Sequence, residues 1–128
     1  MGRSVQRFFA AVPESVALAR EFVASALTSW GLVWLVEDIR LCVSELASNA
    51  LLHGTEPGRG FLVRLDREED FVRVEVHDSL GSRPEVKCPA DSETSGRGLL
   101  VVGELADGWG VEDRRPFGKV VWVRFKRS

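Results

Sequence analysis

Two cysteines and two histidines in 128 residues make no disulfide framework, and they do not stand at the spacing of a metal-ligand set. Cys42 lies in an apolar helical pattern and Cys88 beside Pro89, and neither stands at ligand spacing from His53 or His77, so both read as free thiols. No apolar run approaches the roughly 18 residues of a membrane span. The start MGRSVQRFF lacks the apolar stretch and small-residue cleavage site of a secretory signal, and Gln6 stands where a myristoylation signal needs Ser or Thr. These absences predict a cytoplasmic chain that makes no use of a membrane. Long basic stretches are missing as well: 17 Lys+Arg against 19 Asp+Glu give a net charge of −2. A nucleic-acid backbone is therefore a poor partner.

What is present is the composition of an ordinary globular domain, 45% apolar and 28% charged, enough for one core over residues 1–128. Val5 to Val12 is an apolar and aromatic run that ends at Pro13, a strand feeding a helix. Val16, Ala19, Val23, Ala26 and Trp30 then recur at spacings of three and four, with Gly31 placed to stop the helix. A second helical pattern runs from about Leu35 to His53 with Gly54 as terminator. FLVRLD and FVRVEVHD alternate as an antiparallel hairpin, and WGVED and KVVWVRF form another across Arg114 to Gly118. Between the hairpins, residues 79–95 are irregular and proline-containing, the pattern of a lid, followed by an apolar helix from about Leu99 to Ala106. The order β-α-α-β-β-loop-α-β-β predicts an α+β two-layer sandwich: a mixed, mainly antiparallel sheet with helices on one face.

Three constellations carry chemistry. In ELASNALLH, Glu45, Asn49 and His53 are spaced by four and form a polar line along one helix. By helical angle Leu41 and Leu52 flank that line on one side, and Cys42, Leu46 and Ala50 on the other, which predicts apolar surroundings for the carboxylate and the amide. A ligand or metal would satisfy them there, and so would a hydrogen bond between the two or to a neighbouring strand. His53 also fits a residue favoured by the helix macrodipole. In VEVHDSLG an alternating strand delivers Asp78, an acceptor suited to an exocyclic amine such as that of adenine, or simply part of a turn with Gly81. In SGRGLLVV, Gly96 and Gly98 precede an apolar helix, where backbone N–H groups can approach a phosphate, or where the glycines merely loosen a helix entry. Gly58-Arg59-Gly60 shows how easily such a pair arises.

In this order, ELASNALLHG, then VEVHDSLG, SGRGLLVV, WGV and GKVVWVRF, the motifs resemble the GHKL (Bergerat-fold) ATPase superfamily over nearly the whole chain. The nearer resemblance is to small bacterial anti-sigma factor serine/threonine kinases. That resemblance implies the Bergerat ATP-binding fold, with ATP and Mg²⁺ as cofactors. It implies Glu45 as general base and Asn49 as the Mg²⁺ ligand. His53, Asp78, Gly81, Gly96, Arg97, Gly98, Leu99 and Leu100 would hold the nucleotide with Asn49, Asp78 taking the adenine amine. It further implies a protein antagonist as phospho-acceptor, a sigma factor as competing partner, and a homodimer. Two positions depart from the family pattern: Leu80 stands where a glycine is usual, with Gly81 one residue later, and Val120 replaces a threonine. Those departures keep open a nucleotide-binding module that sequesters a partner without kinase turnover.

Overall fold

Strand β1 (Arg3–Ala10) and helix α1 (Glu14–Ser29) are tied at their junction by Ser15, whose buried Oγ donates 2.6 Å to the Ala10 carbonyl. The computed structural model describes residues 3–54, 59–78, 102–113 and 118–127. Along α1 the residues Ser15, Ala19, Val23 and Leu27 are buried, each one turn beyond the last, while Val16, Ala26 and Trp30 pack at the margin of the core. The helix ends as its glycine predicts. Gly31 adopts φ +78°, its N–H reaches the Thr28 carbonyl at 3.0 Å, and the Leu32 N–H reaches the Leu27 carbonyl at 2.9 Å. This pair of bonds is a Schellman cap, sealed by the buried Leu32 side chain.

The predicted helix from Leu35 to His53 is built in three pieces. A 3₁₀ turn at Val33–Leu35 leads into helix α2 (Val36–Asn49), which continues as a π turn over Ala50–Gly54. Ile39, Val43, Leu46 and Ala47 face α1 and the sheet. The change from α to π falls directly after Asn49, and such wide turns are frequent at functional positions.

Strands β2 (Gly60–Arg67), β3 (Phe71–His77), β4 (Gly108–Asp113) and β5 (Lys119–Lys126) complete a five-stranded sheet ordered β1-β2-β3-β5-β4. All four pairings are antiparallel. Alternation gives the sheet two unlike faces. Phe9, Phe61, Val63, Leu65, Val72, Val74, Val76, Val123 and Phe125 lie beneath the helices as the core. Gln6, Arg64, Glu75 and Trp122, which stand opposite one another across four strands, lie on the other face. Gly60 is required by packing, because a Cβ there would lie 2.0 Å from the Phe9 carbonyl oxygen. That accounts for one glycine of Gly58-Arg59-Gly60 without any ligand. Residues 102–105 are helical and begin with the fully buried Val102. No helix among the described residues is long and apolar enough to cross a membrane.

Candidate functional site

The alternation that buries Val72, Val74 and Val76 continues one step past the end of β3, so Asp78 enters the same covered face. It is 2% exposed. In β5 the phase that buries Val123 and Phe125, and half-buries Val121, begins with Lys119, which is 9% exposed. The two residues meet. The Asp78 N–H donates to the Lys119 carbonyl at 3.0 Å, the Lys119 N–H donates to Asp78 Oδ1 at 3.2 Å, and Lys119 Nζ lies 2.5 Å from Asp78 Oδ2. A carboxylate and an ammonium so far from water are tolerable only as a pair.

Lys119 was not among the candidates, although the sequence held a signal for it. A lysine on the apolar phase of KVVWVRF is as anomalous as an aspartate on the apolar phase of VRVEVHD. Reading the two strands as neighbours would have coupled them.

Glu45 and Asn49 stand on one line of α2, both half-buried. Neither side chain forms a hydrogen bond or ion pair among the described residues, so the mutual bond that would have satisfied them internally is not formed. Their surroundings differ from the sequence expectation on one side. Cys42, Leu46 and Ala50 are buried, but Leu41 is 45% and Leu52 71% exposed. The cause is angular: at about 100° per residue, Leu41 points away from the buried arc centred on Ile39 and Val43. The line therefore runs along the rim of the core, accessible from one side. Burial pushes the Cys42 thiol up to about 12, and the Asp38 and Glu45 carboxylates add to the effect.

The topology brings these groups to one end of the molecule. The π turn that extends α2 contacts β2, which begins at Gly60. Leu62 near that beginning pairs with His77, the residue before Asp78. The C-terminal end of α2 and the Asp78–Lys119 pair thus share the end of the sheet where β2 begins and β3 stops, and α2 packs on β3 itself.

The side chain of His53, together with Gly81, Gly96, Arg97, Gly98, Leu99, Leu100, Leu80 and the proposed lid at 79–95, lies outside the described residues. No cluster of three His, Cys, Asp or Glu side chains suited to a metal occurs among the described residues. An open depression lined by Arg20, Glu37, Asp38, Arg40, Leu41 and Ser44 lies along α1 and α2 and includes neither Asp78 nor Asn49. Its charges answer one another, Arg40 standing 3.7 Å from Glu21 and 3.8 Å from Glu37.

Residues 9–125 match the family described as the histidine kinase-like ATPase domain. An anti-sigma F factor of Clostridium beijerinckii (strain ATCC 51743 / NCIMB 8052) is 27% identical over 129 residues, which cover 92% of this chain and 90% of the relative. An anti-sigma F factor of Clostridium botulinum (strain Alaska E43 / Type E3) is 28% identical over 101 residues, 71% of each.

Proposed function

From the premise that the chain belongs to the histidine kinase-like ATPase domain family, we propose that it is an ATP-dependent serine/threonine protein kinase of the anti-sigma type. In this reading it phosphorylates an antagonist protein and thereby changes its hold on a sigma factor. The observation that carries the proposal is the placement of a buried carboxylate, Asp78, at the same end of the fold as the polar line Glu45–Asn49, whose side chains have no partner among the described residues. The relatives' name, anti-sigma F factor, supports the choice of partners.

The residues fit the nucleotide and its metal. Asp78 offers an acceptor in a dry setting, where a hydrogen bond to an exocyclic amine is strong and the loss of one is costly. Asn49 offers a neutral oxygen of the kind that completes a Mg²⁺ shell made otherwise of phosphate and water oxygens. Gly96, Arg97 and Gly98 are assigned to the phosphate tail on the motif alone. When bound, Mg·ATP supplies the transferable phosphoryl group. Glu45, one turn before Asn49 on the exposed rim of α2, accepts the proton of an incoming serine or threonine hydroxyl as that oxygen becomes the nucleophile. Its half-exposed position suits the task, since the acceptor arrives on another protein.

Transfer of labelled phosphate from ATP to a candidate antagonist is expected with Mg²⁺ and the intact chain. Glu45→Ala should lower the rate by about 10²–10⁴, the usual contribution of a general base. Undiminished transfer in that variant would remove Glu45 from the role. Asn49→Ala should lose Mg²⁺-dependent nucleotide binding, measured by calorimetry with and without the metal.

A second reading is favoured by Val120, which is buried beside Lys119 where the family pattern has a threonine hydroxyl. A chain that binds nucleotide but sequesters its partner without phosphorylating it would show the binding and none of the transfer.

A further inference from the structure

Lys119 is half explained by Asp78. Its ammonium carries three donors, and among the described residues one of them is engaged, by Asp78 Oδ2 at 2.5 Å. The side chain is nevertheless about nine-tenths removed from water, and an apolar residue would suit its register beside Val121 and Val123. The Lys119 backbone N–H already holds Oδ1, so the ammonium is not needed to fix the carboxylate in place. A buried cation with two donors unengaged among the described residues, next to the proposed amine acceptor, is suited to a further acceptor supplied by a ligand.

The shape of that acceptor follows from the pair itself. A carboxylate beside an ammonium is an acceptor beside a donor. The Watson–Crick edge of adenine is the complement, its N6 amine a donor and its neighbouring N1 an acceptor, side by side and nearly parallel. A carboxylate has about four acceptor positions on its two oxygens, and the Lys119 N–H and ammonium take two of those on Asp78. We propose that Lys119 is a base-reading residue, donating from Nζ to N1 of adenine while Asp78 accepts from N6. This rests on the nucleotide-binding reading above and adds the rule by which the base is chosen. Guanine reverses the order, placing O6 against the Asp78 carboxylate and N1–H against the ammonium, and is rejected by both.

The test is calorimetry of the full chain with Mg²⁺ and four nucleotides: ATP, 1-deaza-ATP, in which N1 is a C–H, 7-deaza-ATP and GTP. The intact protein should bind ATP and 7-deaza-ATP alike, and 1-deaza-ATP about 10–100-fold more weakly, the range for one hydrogen bond to a charged group. GTP should bind more weakly still. In Lys119→Met, ATP and 1-deaza-ATP should become equal, whereas Lys119→Arg, which keeps a donor, should restore part of the preference. Equal binding of ATP and 1-deaza-ATP by the intact chain would overturn the role, and needs no variant to fold. So would a preference for ATP that survives in Lys119→Met. Binding of no nucleotide at all would overturn the function as well, which sets that failure apart from loss of N1 discrimination alone.

Discussion

Asp78 and Lys119 occupy positions where their own strands call for valine, and the stability of the chain depends on both being there together. Removing one partner of a buried ion pair leaves the other charge uncompensated, at about 3–5 kcal/mol. Asp78→Ala is therefore expected to lower the urea midpoint strongly, while Asp78→Asn, which still accepts the Lys119 N–H, should cost less; equal small effects would contradict the pairing. Cys42 belongs to this scale too. Burial, with Asp38 and Glu45 nearby, raises its thiol to about 12, so it should resist a thiol reagent at pH 8 in the native protein and react once unfolded. Asp78 was legible in the sequence as a strand-end carboxylate, and Glu45 and Asn49 as a helical line. Lys119 was not, because its meaning depends on β3 and β5 being neighbours, a pairing across 41 positions of chain that no local pattern reports. The apolar setting expected around Glu45 was half right, since angle alone does not say which flank of a helix meets the core.

At the scale of elements, caps and terminators were the most readable features. Gly31 stops α1 as its position predicts, and its left-handed φ makes the prediction measurable. A Cβ at Gly31 would meet nothing within 4 Å, so Gly31→Ala should cost only the backbone strain of about 1–2 kcal/mol, read as a shift in urea midpoint. Truncating the fully buried Leu27, one turn earlier, should cost more, about 2–5 kcal/mol, from lost contacts and the cavity left behind. The two hairpins were equally plain, because period-two alternation broken by polar turns leaves little else to build. The π turn after Asn49 was not foreseen: over five residues an apolar pattern is the same whether the helix closes on i−4 or i−5. It sits where the candidate site begins, so local regularity gives way at the position where the polar line leaves α2.

Across the whole molecule, the sheet is covered by helices on one face and carries ion pairs on the other. Arg73 is the centre of that second face. It lies 2.7 Å from Glu75, 3.8 Å from Glu112 and 4.6 Å above the Trp122 ring, while His77 bonds Glu75 at 2.8 Å. The bond with His77, reinforced by Arg73 against partial burial, lowers the Glu75 carboxyl from 4.5 to about 2. A depressed carboxyl stabilises the fold above its unfolded value and loses that contribution as pH falls through its folded one. The wild type should therefore lose its advantage over Glu75→Gln between about pH 4.5 and 2, in urea titrations at stepped pH; a constant difference across that window would exclude Glu75 as the cause. The α+β class and one-sided helices were legible from element order, and the sheet that the order left as mainly antiparallel is antiparallel at all four junctions. The strand order was not legible, because β1-β2 and β3-β5 join segments that approach only when the chain is folded.

The claim on which the functional account stands is that Mg·ATP binds at the end of the fold shared by Asn49 and Asp78. Thermal unfolding across an ATP titration at fixed Mg²⁺ measures it most directly, because a ligand of the native state raises the midpoint with concentration. At a hundredfold excess over Kd the gain is about 2.7 kcal/mol, roughly 10 °C for a chain of this size. The account predicts that rise in the intact protein and its loss in Asp78→Ala compared with its own nucleotide-free midpoint. A midpoint that stays flat up to saturating ATP, or one that rises equally in the variant, would contradict it.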